Sequence, residues 1–153
     1  MASGRKFHVL VVDDSDGMAE LTVQMLERLG YSAQGETKSL TALRTFSDEP
    51  HKFDFAIIEP AVSEQRGPVR AVLGKMRRGS PVTPELTGLE LATRFRRIKP
   101  GFPVMFCTGY IATSLAEEIK DAGFGEIIFK PLGLKELGEA IKDGLSSYLL
   151  NIR

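Results

Sequence analysis

The chain has 153 residues, with 20 Lys+Arg against 20 Asp+Glu and 42% apolar residues. That is the size of one domain with a real core, and a net charge of zero leaves no chain-wide footprint of a nucleic-acid or membrane binder. One cysteine, Cys107, rules out an internal disulfide, the apolar runs are strand-sized rather than membrane-sized, and the opening "MASGRKF" lacks the apolar region of a signal peptide, so the expectation is a cytoplasmic protein or a cytoplasmic piece of a larger one.

The first predicted element is a strand over Phe7–Val12, "FHVLVV", nearly unbroken in apolar residues. Such a run suits a strand covered on both faces. Met18, Leu21, Met25, Leu26 and Leu29 then recur at spacings of three and four. They predict a helix over Met18–Leu29, with Ser15 or Asp16 placed to cap it and Gly30 at its end. Tyr31–Gly35 reads as a second strand and Ser39–Phe46 as a second helix, carrying Leu40, Leu43 and Phe46. A third strand, Phe53–Ile58, precedes a helix over Leu89–Ile98. Pro103–Cys107 and Glu126–Phe129 complete the strands, with helices at Leu115–Ala122 and Leu134–Leu145. Strand and helix alternate five times, which predicts a doubly wound α/β domain, a five-stranded parallel sheet with helices on both faces, spanning 1–153. The tail "SSYLLNIR" extends the last helix, or its Tyr148, Leu149, Leu150 and Ile152 serve a dimer contact or a further domain.

In such a sheet the ligand crevice lies beyond the carboxyl ends of the strands. Those ends carry Asp13, Asp14, Glu59, Thr108 and Lys130. Clustered carboxylates need a counter-charge, which a hard cation such as magnesium or the Lys130 ammonium supplies. Each residue alone has an ordinary explanation as a turn, cap or solvated side chain. All of them on matching strand ends do not. His8 and His51 lie away from the rim, and no Gly-rich phosphate loop follows the first strand. No enzymatic activity is therefore expected.

"VLVVDDS", "FDFAIIE", "TGLELATRFRRIKPGFPVMFCTGY" and "IIFKPLGLKEL" together resemble the receiver domain of two-component response regulators, over about Lys6 to Leu145. The resemblance implies the flavodoxin-like (βα)5 receiver fold and a place in phosphorelay signalling. It implies a histidine kinase or phosphotransfer protein upstream and a protein partner downstream, with no membrane or direct nucleic-acid contact. It further implies Mg2+ bound by Asp13, Asp14, the acceptor carboxylate and the Ala61 carbonyl. Thr108 matches the switch hydroxyl, and Lys130, before the cis-type Pro131, the phosphoryl-contacting lysine. Homodimers are implied through the fourth helix, fifth strand and fifth helix.

Four departures qualify that resemblance. Glu59 stands where receivers have the phosphoacceptor aspartate. It extends roughly 1.5 Å further, one carbon–carbon bond. A misplacement of that size costs in-line transfer on the order of a hundredfold, so phosphorylation is expected to be weak or absent. Glu59 then either mimics the phosphorylated state with less charge and fewer oxygens, or marks a receiver that has lost phosphotransfer and kept its surface. Pro60 removes an amide donor beside the acid. Ile127 stands where receivers often carry the aromatic ring that reports activation, with Tyr110 a partial substitute or a half-exposed loop aromatic. Finally, about 62–82 is an insertion between the third strand and third helix, longer than the usual connection. It is predicted to hold a short basic amphipathic helix at about Pro68–Arg78, acting as a flap or as a docking element. The alternatives are a receiver that still accepts phosphate and, more remotely, a flavodoxin-like cofactor-binding module.

Overall fold

The computed structural model describes residues 6–62, 85–125 and 127–151, and of 147–151 the backbone alone. The predicted helix at about 68–78 and most of the insertion lie outside these residues, as does Glu126. In chain order the elements are β1 (His8–Val12), α1 (Asp16–Arg28), β2 (Ser32–Glu36), α2 (Ser39–Asp48), β3 (Phe55–Ile58), α3 (Gly88–Ile98), β4 (Val104–Thr108), α4 (Thr113–Asp121), β5 (Ile127–Phe129) and α5 (Leu134–Asn151), with a short 3-10 turn at Pro50–Lys52. The five strands form one parallel sheet in the order β2-β1-β3-β4-β5. The fold class read from the alternation is thus the one observed.

Strand parity sorts the core. Leu10 and Val12 face a cluster built with Phe46, Leu91, Phe95 and Ile119 from α2, α3 and α4. Val9 and Val11 face the other way, onto Leu26 of α1 and Leu137 and Ile141 of α5. Successive side chains of a strand point to opposite faces, which is why β1 reads as an unbroken apolar run. Phe46 centres the first cluster, with ring centroids 4.4 Å from Phe95 and 4.7 Å from Phe102.

Ends differ from the predicted ranges by at most two residues, except that of α5, which runs six residues further. β3 begins at Phe55, two residues later than predicted; before it the Asp54 amide donates to the His8 carbonyl at 2.8 Å, the Asp54 carboxylate accepts the His8 amide at 2.7 Å, and the Phe53 carbonyl accepts Lys99 Nζ at 3.0 Å. Ser15 caps α1, accepting from the Met18 amide at 3.4 Å, and Gly30 follows the helix at φ 97°. The backbone of the tail continues α5 to Asn151. Val62, expected at the start of the insertion, is fully buried, and its amide donates to the Glu59 carbonyl at 3.0 Å.

Candidate functional site

The register of the sheet brings the rim residues together. Val12 pairs with both Glu36 and Ile58, Ile58 with Phe106, and Thr108 with Phe129. Asp13, Glu59 and Lys130, each directly after its strand, and Thr108, the last residue of β4, therefore emerge at one edge. Backbone bonds carry this alignment past the strands: the Glu59 amide donates to Val12, Asp13 to Glu36, and Lys130 to Thr108. Parallel neighbours lie about 4.8 Å apart, so Asp13 and Glu59 are placed side by side before any side-chain contact forms. The Lys130–Pro131 peptide is cis, as the resemblance implied.

Four of the predicted residues join in one hydrogen-bonded set. Lys130 Nζ lies 2.6 Å from Asp13 Oδ2 and 3.4 Å from Glu59 Oε2. Thr108 Oγ1 lies 2.7 Å from Glu59 Oε1 and 2.8 Å from the Tyr110 carbonyl. The second Asp13 oxygen accepts the Ser15 amide at 3.0 Å. Asp13 is buried, and the side chains of Glu59 and Lys130 are 11% and 18% exposed. Asp14 is half-buried and forms no ion pair among the described residues. Ala61 lies two residues past Glu59, half-buried beside a cavity.

Burial and charge pull these groups in opposite directions. Burial raises the Glu59 carboxyl above its usual range; the Thr108 hydrogen bond and Lys130 oppose this, and the Asp13 charge adds to it. Burial also disfavours the Lys130 ammonium, but the Asp13 hydrogen bond and the fields of Asp13 and Glu59 outweigh it and leave its pKa raised. Both groups are desolvated; the partners of Lys130 outweigh that cost and keep it charged, whereas those of Glu59 do not. Burial pushes the neighbouring Cys107 thiol up to about 11, so it is no thiolate nucleophile.

The donor set fits magnesium in type but not in arrangement. Oxygen ligands suit a hard cation. However, both oxygens of Asp13 and both of Glu59 already have partners, and Lys130 stands between the two carboxylates. Among the described residues no three acidic, histidine or cysteine side chains converge as a metal-holding group. In this arrangement the Lys130 ammonium fills the counter-charge role.

Two contributors were not legible in the sequence. The Tyr110 carbonyl joins the Thr108 hydroxyl, a contact that depends on how the β4–α4 connection turns. Glu85 reaches α2, where its Oε2 accepts the Ser39 amide at 2.9 Å and the Ser39 hydroxyl at 2.8 Å. Lys38, the residue before α2, offers no side-chain cap, and that missing local cap was the available signal.

Residues 82–142 match the family described as "Response regulator receiver domain", a segment that includes Thr108 and Lys130 and begins beyond Asp13, Asp14 and Glu59. The chain is 25% identical over 134 residues to the response regulator receiver protein CpdR of Brucella abortus, covering 88% of this chain and 92% of that protein. It is 24% identical over 143 residues to the transcriptional regulatory protein GlrR of Escherichia coli, covering 94% of this chain but only 27% of that protein. Among solved structures it resembles a CheY-like response regulator receiver domain protein from Methanospirillum hungatei, with a TM-score of 0.73, 22% identity and coverage of 96% of this chain and 99% of that one. The chain thus matches a response regulator receiver domain over residues 82–142, and its single sheet of five parallel strands with five helices is the CheY-like receiver fold.

Proposed function

We propose that the chain is an atypical receiver module of two-component signalling that works by protein–protein contact, without phosphotransfer or catalysis of its own, because Glu59 occupies the acceptor position. The observation that carries this reading is the 2.7 Å contact between Thr108 Oγ1 and Glu59 Oε1. The hydroxyl and the Lys130 ammonium, which the resemblance assigns to a phosphoryl group, are both engaged by the longer carboxylate itself. Glu59 thus answers Thr108 as a phosphoryl oxygen would, which favours mimicry over simple loss. Its single charge makes the mimic partial, since a phosphoryl group carries about −1.5 to −2. Each oxygen of Glu59 already accepts a hydrogen bond, so an in-line attack would have to compete with those contacts.

A histidine kinase or phosphotransfer protein recognises the module, and a protein partner or a second copy meets the α4–β5–α5 face. That face offers β5 as an edge strand, with Phe129 54% exposed. A cytoplasmic setting accords with this role.

The test is a small-molecule phosphodonor assay on the wild type and Glu59→Asp, read by intact mass and by acid and base stability. The wild type is expected to stay unlabelled, and the aspartate variant to gain an acyl-phosphate. Stoichiometric label on Glu59 would overturn the proposal and establish a phosphoaccepting receiver.

A further inference from the structure

A cavity of about 370 Å³ lies between the turn after β3 and the connection from β4 to α4. Its apolar lining includes Pro60, Ala61, Ile111 and Leu115, and its polar lining includes Tyr110 and Glu118. Tyr110 is 80% exposed, and Glu118 is exposed as well. The two walls are tied together: one follows Glu59, the other is held by the Tyr110 carbonyl, and Thr108 Oγ1 contacts both.

We propose that this cavity receives an arginine side chain projecting from a partner protein. Pro60, Ile111 and Leu115 present apolar surface to the aliphatic stem, the Tyr110 ring to the guanidinium face, and Glu118 its counter-charge. Charge complementarity favours a cation. The exposed side of α4 carries Glu117, Glu118 and Asp121 against Lys120, and the neighbouring rim holds Asp13, Asp14 and Glu59 against Lys130.

Arginine fits better than lysine because its planar head stacks on an aromatic ring and still donates in its own plane to a carboxylate. The same chain uses that geometry elsewhere: the Arg96 guanidinium lies 4.0 Å over the Phe124 ring while donating to the Phe102 and Gly123 carbonyls. A side chain on a larger body also fits better than a free metabolite. Small-ligand sites bury about 70–90% of their ligand, whereas Tyr110, Ala112, Ser114 and Glu118 leave this cavity open to solvent. The inference is independent of whether Glu59 accepts phosphate.

The test is an amide NMR titration of the whole chain with two capped pentapeptides, identical except for a central arginine or glutamine. The arginine peptide is expected to move the amides of residue 61 and of 110–118, and to saturate. The glutamine peptide is expected to bind several-fold more weakly. Glu118→Gln should weaken the arginine peptide about threefold, the scale of an exposed ion pair, and Tyr110→Ala by about threefold for the lost ring contact. Both side chains are exposed, so the remaining amides of each variant are expected to keep their positions. Equal response to the two peptides, affinity unchanged in both variants, shifts centred elsewhere, or no shift at millimolar peptide would each overturn the proposal.

Discussion

The Thr108 hydroxyl has one proton and two acceptors, Glu59 Oε1 at 2.7 Å and the Tyr110 carbonyl at 2.8 Å. With Glu59 ionised the carboxylate is the stronger acceptor. Thr108→Val keeps the shape but leaves a carboxylate oxygen without its donor in a buried place. It is expected to cost about 1–3 kcal/mol, read by urea unfolding, and to release the 109–112 connection, read by amide relaxation. The raised Glu59 pKa gives a second prediction. A carboxyl that holds its proton more tightly when folded favours folding at low pH, and that contribution is lost as pH rises from 4.5 through the raised folded value. The stability of the wild type relative to Glu59→Gln should therefore fall across that window and level off above it. A flat difference would show that burial does not govern this acid. The positions of Glu59, Thr108 and Lys130 were legible because each lies at the carboxyl end of an apolar strand run. Which of Asp13 and Asp14 meets Lys130 was not, since neighbouring side chains diverge and only the turn into α1 decides it.

Helix starts show how an element is placed from outside itself. A Cβ on Gly88, the first residue of α3, would come within 2.7 Å of Pro60 Cα and 2.8 Å of the Glu59 carbonyl oxygen. The glycine is needed there for space, letting α3 seat against the turn that carries the acid. Gly88→Ala is expected to cost about 1–3 kcal/mol, as overpacking does, and to shift the amides of 59–62 in an NMR spectrum. Unmoved amides would show that α3 yields instead of the turn. Glu85, by contrast, holds α2 across a gap of 46 residues, and Glu85→Ala should lose a cap worth about 1 kcal/mol by urea unfolding. Strands and helices were legible because apolar residues recur at their own periods, as in Leu10 and Val12 against Val9 and Val11. The remote cap was not, because nothing in "PELTG" says which distant amide its carboxylate will meet.

Across the whole molecule, parallel winding sends every strand's carboxyl end to one edge, so like charges from distant segments accumulate there by topology. Asp13 and Glu59 are separated by one interstrand spacing, and Asp14 adds a third charge. These charges repel one another unless something answers them, and Lys130, arriving from the far end of the chain, does so at 2.6 Å and 3.4 Å. If the ammonium fills the cation's role, adding a cation gains little for the wild type, because a ligand stabilises only by binding the folded state more tightly than the unfolded one. Lys130→Ala removes the counter-charge and leaves the acids facing each other. It is expected to destabilise the chain by about 1–3 kcal/mol, less than breaking a fully buried pair because the site is partly open to solvent. That variant should then regain stability in millimolar MgCl2 beyond what KCl of matched ionic strength restores, since its freed oxygens suit a hard cation. The wild-type unfolding midpoint should respond equally to the two salts. A magnesium-specific rise in the wild type would mean that the metal displaces Lys130 from Asp13, and the ammonium would then be a placeholder for the cation.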